Sequence, residues 1–139
     1  MILYCDTSSL VKLYVEEEHS ATVGGWVEQA DMVGTCRVAL PEMTSALTRR
    51  LNSGDLDADT YRRLLTALRA DWQHVVALDF DERQAADLVE RHALRGFDAV
   101  HLSAALRLVV REQVALFFSA FDERLNQAAK AEGLTVVTP

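Results

Sequence analysis

The chain of 139 residues lacks the features that mark membrane and secreted proteins. No apolar run approaches the length of a membrane span. The first residues lack the basic segment and the long apolar segment of a signal peptide. The two cysteines, Cys5 and Cys36, lie in apolar surroundings without CxxC spacing, which predicts buried reduced thiols rather than a disulfide or a metal pair. We therefore expect a soluble, cytoplasmic protein.

The sequence also has few prolines and contains no repeats or linkers. The two prolines are Pro41 and Pro139, and no segment is repetitive or of low complexity. Half of the residues are hydrophobic and 25% are charged, which is a globular composition with enough apolar material for one core. These properties predict a single domain over residues 1–139.

A surplus of basic residues is missing as well, since the formal net charge is −7. A protein that binds nucleic acid only through a broad basic surface would not have this charge. Beyond ordinary solubility, two situations remain open. The acids can be concentrated in a site that cations neutralise, or a basic partner can cover an acidic surface.

Short apolar runs alternate with longer stretches of helical periodicity. The predicted strands are Ile2–Cys5, Met32–Cys36, Val75–Leu78, Ala115–Phe118 and Leu134–Val137. Most are apolar throughout, which is typical of parallel strands covered on both faces. The predicted helices are Ser8–Glu18, Ser20–Ala30, Ala39–Asn52, a helix from Asp57 or Asp59 to about Gln73, Asp81–Leu94, Asp98–Arg111 and Asp122–Glu132. This alternation predicts an α/β fold, a three-layer α/β/α sandwich with a short, mostly parallel sheet.

Four acidic residues stand where predicted strands give way to helices, or in the first turns of a helix: Asp6, Glu42, Asp98 and Asp122. The carboxyl ends of parallel strands share one edge with the helix N-termini that follow them, so these acids can converge. Capping is the alternative, because Asp is a preferred N-cap, and we expect Asp57 and Asp81 to act only as caps. Glu42 is a poorer cap, and Asp6 ends the first strand, so capping alone explains these two acids less well.

Converging carboxylates have a defined chemistry. Packed closely at neutral pH they repel, so they take up protons or bind cations. Oxygen ligands suit Mg²⁺ or Mn²⁺, and such ions activate water and stabilise the charge on a phosphodiester during in-line displacement. An acidic site on an acidic protein can therefore hold a polyanion through metal ions.

Each acid lies in a segment that resembles the corresponding segment of the PIN-domain ribonucleases, and among them of the VapC toxins of bacterial toxin–antitoxin pairs. The segments are ILYCDTSSLVKLYVEE, RVALPEMTSALTRR, RGFDAVHLSAAL and FFSAFDERLNQAAKAEGL. They occur in the order of the family, and the resemblance covers essentially the whole chain.

The resemblance implies a function, a site and partners. It implies endoribonucleolytic cleavage of structured RNA such as tRNA or rRNA. It makes Asp6, Glu42, Asp98 and Asp122 the acidic quartet that holds one or two Mg²⁺ or Mn²⁺ ions. A hydroxyl just after the first acid, Thr7 or Ser8, would support the site or the substrate. A cognate antitoxin that blocks the site and a homodimer are also implied.

The chain departs from the family pattern near the last acid. Many members carry Ser or Thr two residues before that acid, where this chain has Ala120, and the nearby hydroxyl belongs to Ser119. Either the strand end is offset by one residue or the contact is missing. The role of Ser119 is therefore left open.

Three further residues have two interpretations each. Arg49 follows Glu42 by seven residues, within about 20° of the same helix face, so it can contact a phosphate or simply end the helix. Lys12, close in sequence to Asp6, can contact substrate, tune an acid or do neither. His101 shares a helix face with Asp98, but no other His or Cys spacing supports a zinc site, which favours a core or boundary histidine.

Two other classes of protein remain as alternatives. A phosphoaspartate protein would explain Asp6 at a strand end beside hydroxyls, although phosphatases of that kind need a second Asp where Ser8 stands. Receivers need the acceptor on a later strand and a Lys after the last one, and neither pattern is evident. A non-catalytic binding module would use the junction acids only as helix caps.

Overall fold

The computed structural model describes residues 1–113 and 115–139, which form alternating strands and helices. The strands are β1 (Ile2–Cys5), β2 (Met32–Cys36), β3 (Val76–Leu78), β4 (Leu116–Ser119) and β5 (Thr135–Val136). The helices are α1 (Thr7–Val11), α2 (Ser20–Gln29), α3 (Ala39–Asn52), α4 (Ala58–Asp71), α5 (Glu82–His92), α6 (Gly96–Glu112) and α7 (Glu123–Ala131). A 3-10 turn, Trp72–His74, follows α4. Within this described part of the chain, every helix is too short or too polar to cross a membrane.

The strands form one sheet in the order β3-β2-β1-β4-β5. Every pairing between neighbours is parallel, so the predicted parallel sheet is confirmed. Strand β1 lies at the centre, and its Leu3, Tyr4 and Cys5 are fully buried. The strand order reverses between β1 and β4, which makes the edge beside these two strands the place where ligands bind in open parallel sheets.

Helices cover both faces of the sheet, which confirms the three-layer sandwich. Helices α5, α6 and α7 enclose one apolar core with Phe118 of β4, and helices α1 to α4 enclose the other with Leu3 of β1. Helix α6 lies very close to β2. A Cβ atom added to Gly34 would lie 2.8 Å from Cδ2 of Leu108, so only glycine fits there without movement.

Several helix ends follow the predicted local chemistry. Asp57 caps α4 by accepting the backbone N–H of Thr60. Asp81 caps α5 by accepting the backbone N–H of Gln84. Gly133, after α7, has a φ of +90°, the left-handed conformation that favours glycine behind a helix.

Helices α1 and α6 differ from their predicted bounds at positions that bear on the acids or their surroundings. Helix α1 ends at Val11 rather than at Glu18. Three consecutive glutamates, residues 16–18, would oppose the dipole at a helix C-terminus, and Lys12 instead bonds the Glu17 carboxylate and the Glu18 carbonyl. Helix α6 begins at Gly96 rather than at Asp98, so Asp98 lies in the first turn and is not the N-cap.

Candidate active site

The four junction acids line one cleft of about 770 Å³ at the carboxyl edge of the sheet. Asp6 follows β1 and Asp122 follows β4, one on each side of the point where the strand order reverses. Glu42 comes from the first turn of α3, and Asp98 comes from the first turn of α6. The structure thus brings together side chains that the sequence places far apart.

Asp6 both caps a helix and lines the cleft. Its Oδ1 accepts the backbone N–H of Ser9 at 3.0 Å and the hydroxyl of Ser8 at 2.7 Å. Burial raises the pKa of Asp6; His101 and these hydrogen bonds lower it, and Asp98 raises it, with a net increase. The capping and site interpretations of this acid are therefore compatible, because Oδ2 accepts no hydrogen bond from the described residues.

Glu42 is held by a buried histidine. His101 Nε2 lies 2.8 Å from Glu42 Oε1, and the Thr7 hydroxyl donates to the same oxygen at 2.7 Å. Burial raises the pKa of Glu42, but the hydrogen bonds from His101 and Thr7 outweigh burial, and the net pKa lies below its usual value. His101 is 2% exposed, as expected for a core histidine, yet it also lines the cleft. Sequence reasoning missed its contact with Glu42.

Arg95 joins the other two acids. Its Nε donates to Asp98 at 3.1 Å, and its Nη2 donates to Asp122 at 3.2 Å. Asp122 uses its other oxygen to accept the Leu125 N–H at 2.8 Å, so it caps α7 as well. Sequence reasoning missed Arg95, although its position three residues before Asp98 is a spacing at which helical side chains pair.

The predicted hydroxyls brace the site. Ser8 donates to Asp6 and accepts the backbone N–H of Phe121 at 3.1 Å, which ties the start of α1 to the loop after β4. Ser119 ends β4, one residue later than the predicted strand end. It is fully buried, and its Oγ lies 2.8 Å from that of Ser9. Ser119 therefore does not line the cleft but supports α1, which carries residues that do.

Besides Arg95, three other cations line the cleft: Lys12, Arg49 and Arg50. Lys12 Nζ lies 3.0 Å from one oxygen of Glu17, and Arg50 lies 2.9 Å from the other. Arg49 donates to the hydroxyl of Ser45 on its own helix. The cleft therefore contains cations as well as the four acids, and Glu17 pairs with two of these cations.

The donor set suits a hard divalent cation, because all four acids offer carboxylate oxygens. In residues 1–113 and 115–139, no three or more His, Cys, Asp or Glu side chains are already arranged to hold a metal ion. Asp6 and Asp98 are close enough for each charge to act on the other, whereas Asp98 and Asp122 share Arg95. The residues present fit a metal by their chemistry, and Arg95 is a cation that already pairs with two of them.

Comparison with known proteins shows which family the chain belongs to. The family model of the PIN domain matches residues 3–131. Ribonuclease VapC45 of Mycobacterium tuberculosis (strain CDC 1551 / Oshkosh) is 33% identical, with 97% of this chain and 94% of the relative covered. Ribonuclease VapC35 of the same strain is 32% identical, with 99% and 97% covered. The fold is similar to the crystal structure of Mycobacterium tuberculosis VapC20, with a TM-score of 0.66, 21% identity and 99% of each chain covered. The chain therefore belongs to the PIN-domain family, among the VapC ribonucleases.

Proposed function

We propose that this chain is a toxin endoribonuclease that requires a divalent metal, Mg²⁺ or Mn²⁺, and hydrolyses phosphodiester bonds of structured RNA such as tRNA or rRNA. The observation that carries the proposal is the convergence of four carboxylates in one cleft beside β1 and β4. The VapC ribonuclease relatives support it. The structural neighbour VapC20 is described as a sarcin–ricin loop cleaving toxin, which supports a structured RNA as the substrate class.

The acids have different roles in this proposal. Asp6 and Asp98 would be the central ligands, and Glu42 and Asp122 would complete the ligand set or position the attacking water. A bound ion would activate that water and stabilise the charge that develops on the phosphate. Oδ1 of Asp6 accepts the Ser9 N–H and so caps α1, while Oδ2 remains available for a metal ion. Asp6 can therefore bind the ion without losing its capping hydrogen bond. Ser8 holds its orientation.

Cations that line the cleft would hold the RNA backbone. Lys12 and Arg49 line the same cleft as the acids, and we propose that they contact phosphates next to the scissile bond. Such local contacts are compatible with a net charge of −7, since the metal neutralises the acids and the cations face the polyanion. Thr7 and Ser8 already bond Glu42 and Asp6, so we assign them to supporting the site rather than to the substrate.

Protein partners are part of the same proposal. An antitoxin would insert a basic side chain among the acids, and the geometry of Arg95 supports this, because one guanidinium already spans Asp98 and Asp122. We also propose that the protein is a homodimer and is located in the cytoplasm, and the resemblance to VapC toxins is the support for both proposals.

Cleavage of total RNA and of isolated tRNA and rRNA tests the proposal. We expect cleavage by the wild-type protein in Mg²⁺, and none in EDTA or with Asp6→Asn. Asp81→Asn is the matched control, because Asp81 caps α5 and does not line the cleft. Replacing this carboxylate by an amide should leave cleavage unchanged. Equal cleavage by wild type in Mg²⁺, by wild type in EDTA and by Asp6→Asn would overturn the proposal.

A further inference from the structure

The geometry points to His101 as a positioning residue that fixes one oxygen of Glu42 and leaves the other for the cleft. This inference rests on the proposed function, in which Glu42 belongs to the metal site. It assigns a role to a side chain that neither the sequence pattern nor the acidic quartet accounts for.

A chain of side-chain hydrogen bonds runs from the centre of the sheet to the cleft. The Tyr4 hydroxyl lies 2.8 Å from His101 Nδ1, and His101 Nε2 lies 2.8 Å from Glu42 Oε1. Tyr4 is fully buried and His101 is nearly so. Both ring nitrogens are thus engaged by side chains from other elements, β1 on one side and α3 on the other.

The partners determine which ring nitrogen carries the proton. Nε2 also lies 3.1 Å from the Thr7 hydroxyl, whose own proton is donated to Glu42. An ionised carboxylate only accepts hydrogen bonds, so Nε2 carries a proton and donates it toward Glu42. The opposite neutral tautomer would direct a nitrogen lone pair at the carboxylate. With the proton on Nε2, Nδ1 accepts a hydrogen bond from the Tyr4 hydroxyl. Every polar side-chain atom of Tyr4 and His101 then has a hydrogen-bond partner.

The two oxygens of Glu42 are not equivalent. Oε1 accepts from both His101 and the Thr7 hydroxyl, whereas Oε2 accepts no hydrogen bond from residues 1–113 and 115–139. Two donors on one oxygen fix the plane of the carboxylate and direct the other oxygen away from them. Glu42 would therefore meet a cation in one prepared orientation.

The same contacts link three of the acid-bearing segments. Thr7 follows Asp6, His101 lies three residues after Asp98 on α6, and both bond Glu42 on α3. Loss of the histidine would release Glu42 and loosen the spacing between these segments. Hydrogen bonds that orient metal ligands in this way typically change metal affinity or activity by about 10–100-fold when they are removed.

Two substitutions at this position separate the hydrogen bond from the packing. His101→Leu fills the space without a donor, and His101→Gln retains an amide N–H that can reach Glu42. We expect His101→Leu to weaken Mn²⁺ binding by about 10–100-fold in titration calorimetry, and His101→Gln to stay within about threefold of wild type. RNA cleavage by His101→Leu should recover as the Mn²⁺ concentration is raised, because the defect lies in holding the ligand.

Ser103→Ala is the matched control on the same helix. Ser103 is fully buried and bonds Gln84 and the backbone of Asp81, away from the cleft, so its loss should leave Mn²⁺ affinity unchanged. A folded His101→Leu that binds Mn²⁺ as wild type does would overturn the inference. So would loss of affinity in Ser103→Ala equal to that in His101→Leu.

A measurement on the wild type covers the case in which His101→Leu does not fold. Nitrogen-15 NMR of the metal-free protein should find the His101 proton on Nε2, and a proton on Nδ1 alone would overturn the inference. The proposed function fails separately, when the wild type neither binds Mn²⁺ nor cleaves RNA. A wild type that does both, with His101→Leu unchanged, would refute only the role of His101.

Discussion

The guanidinium group of Arg95 lies 3.2 Å from a carboxylate oxygen of Asp122. The same group donates to Asp98 at 3.1 Å. Arg95 is the N-cap residue of α6, and most of its side chain is exposed. A cation supplied by the chain itself therefore occupies the space between two acids that we propose as metal ligands.

Arg95→Ala should increase the affinity for Mn²⁺. Removing a competing cation leaves two carboxylates facing each other, and the expected gain is roughly threefold because the pair is exposed and screened by solvent. Titration calorimetry measures this effect. Arg107→Ala is the control, since Arg107 is also exposed on α6 but does not line the cleft. Unchanged or weaker binding in Arg95→Ala would contradict the prediction.

Asp6→Asn should retain the fold. Asn is as good an N-cap as Asp, whereas Ala lacks the oxygen that accepts the Ser9 N–H and should cost about 0.5–2 kcal/mol of unfolding free energy. Urea unfolding in EDTA, compared among wild type, Asp6→Asn and Asp6→Ala, checks the order. If Asp6→Asn is the least stable of the three, Asp6 does not contribute as a cap in the way the structure indicates.

The raised pKa of Asp6 predicts the sign of a pH effect on stability. The folded protein holds this proton to higher pH than the unfolded chain, so stability falls as pH rises from the ordinary aspartate value toward the folded value. Asp6→Asn removes this dependence. Its unfolding free energy relative to wild type should therefore increase in EDTA as the pH rises above the ordinary aspartate pKa of about 4. Glu42 acts in the opposite direction at lower pH, since its lowered pKa makes stability fall on acidification. A difference that stays constant with pH would refute the assignment to Asp6.

Both cysteines should be unreactive in the native protein. Cys5 and Cys36 are free and buried, as predicted from the sequence, and burial raises the pKa of both thiols, which disfavours the reactive thiolate. Reaction with Ellman's reagent should be negligible in buffer and should reach both thiols in denaturant. Rapid labelling of either thiol without unfolding would show that the central strands open locally.

Gly34→Ala should lower both stability and RNA cleavage. The added methyl group would meet Leu108 at 2.8 Å, and overpacking of this kind costs about 1–3 kcal/mol. Movement of α6 would also displace Asp98. Gly24→Ala is the control, because its Cβ would meet nothing within 4 Å and lies in a helix, where Ala is favoured over Gly by about 0.5–1 kcal/mol. Leu108→Val combined with Gly34→Ala should recover part of the loss.

The sheet and the convergence of the acids could be predicted because their signals are local. Short apolar runs and capping acids determine where strands end and helices begin, and a parallel sheet then places those ends on one edge. The end of α1 was harder to predict, because apolar spacing continues to Tyr14 while the energetic cost of three glutamates at a helix end depends on what Lys12 bonds.

Arg95 and His101 could not be assigned from the sequence for a different reason. Their partners lie far along the chain, Asp122 for the first and both Tyr4 and Glu42 for the second. Within the sequence, Arg95 stands at a helix N-cap and His101 at a core position of the same helix, and neither position by itself indicates a functional site. Only the fold, which brings the start of α6 to the sheet edge that Glu42 and Asp122 share, shows that both belong to the cleft.

The central place of β1 has a consequence during protein synthesis. Asp6 is synthesised well before β4, so β1 gains its second neighbouring strand only when β4 emerges, and Asp122 comes after β4. A nascent chain that lacks β4 has neither the last acid nor the Ser119 side chain that supports α1. The cleft with all four acids can therefore assemble only after β4 and Asp122 have been synthesised.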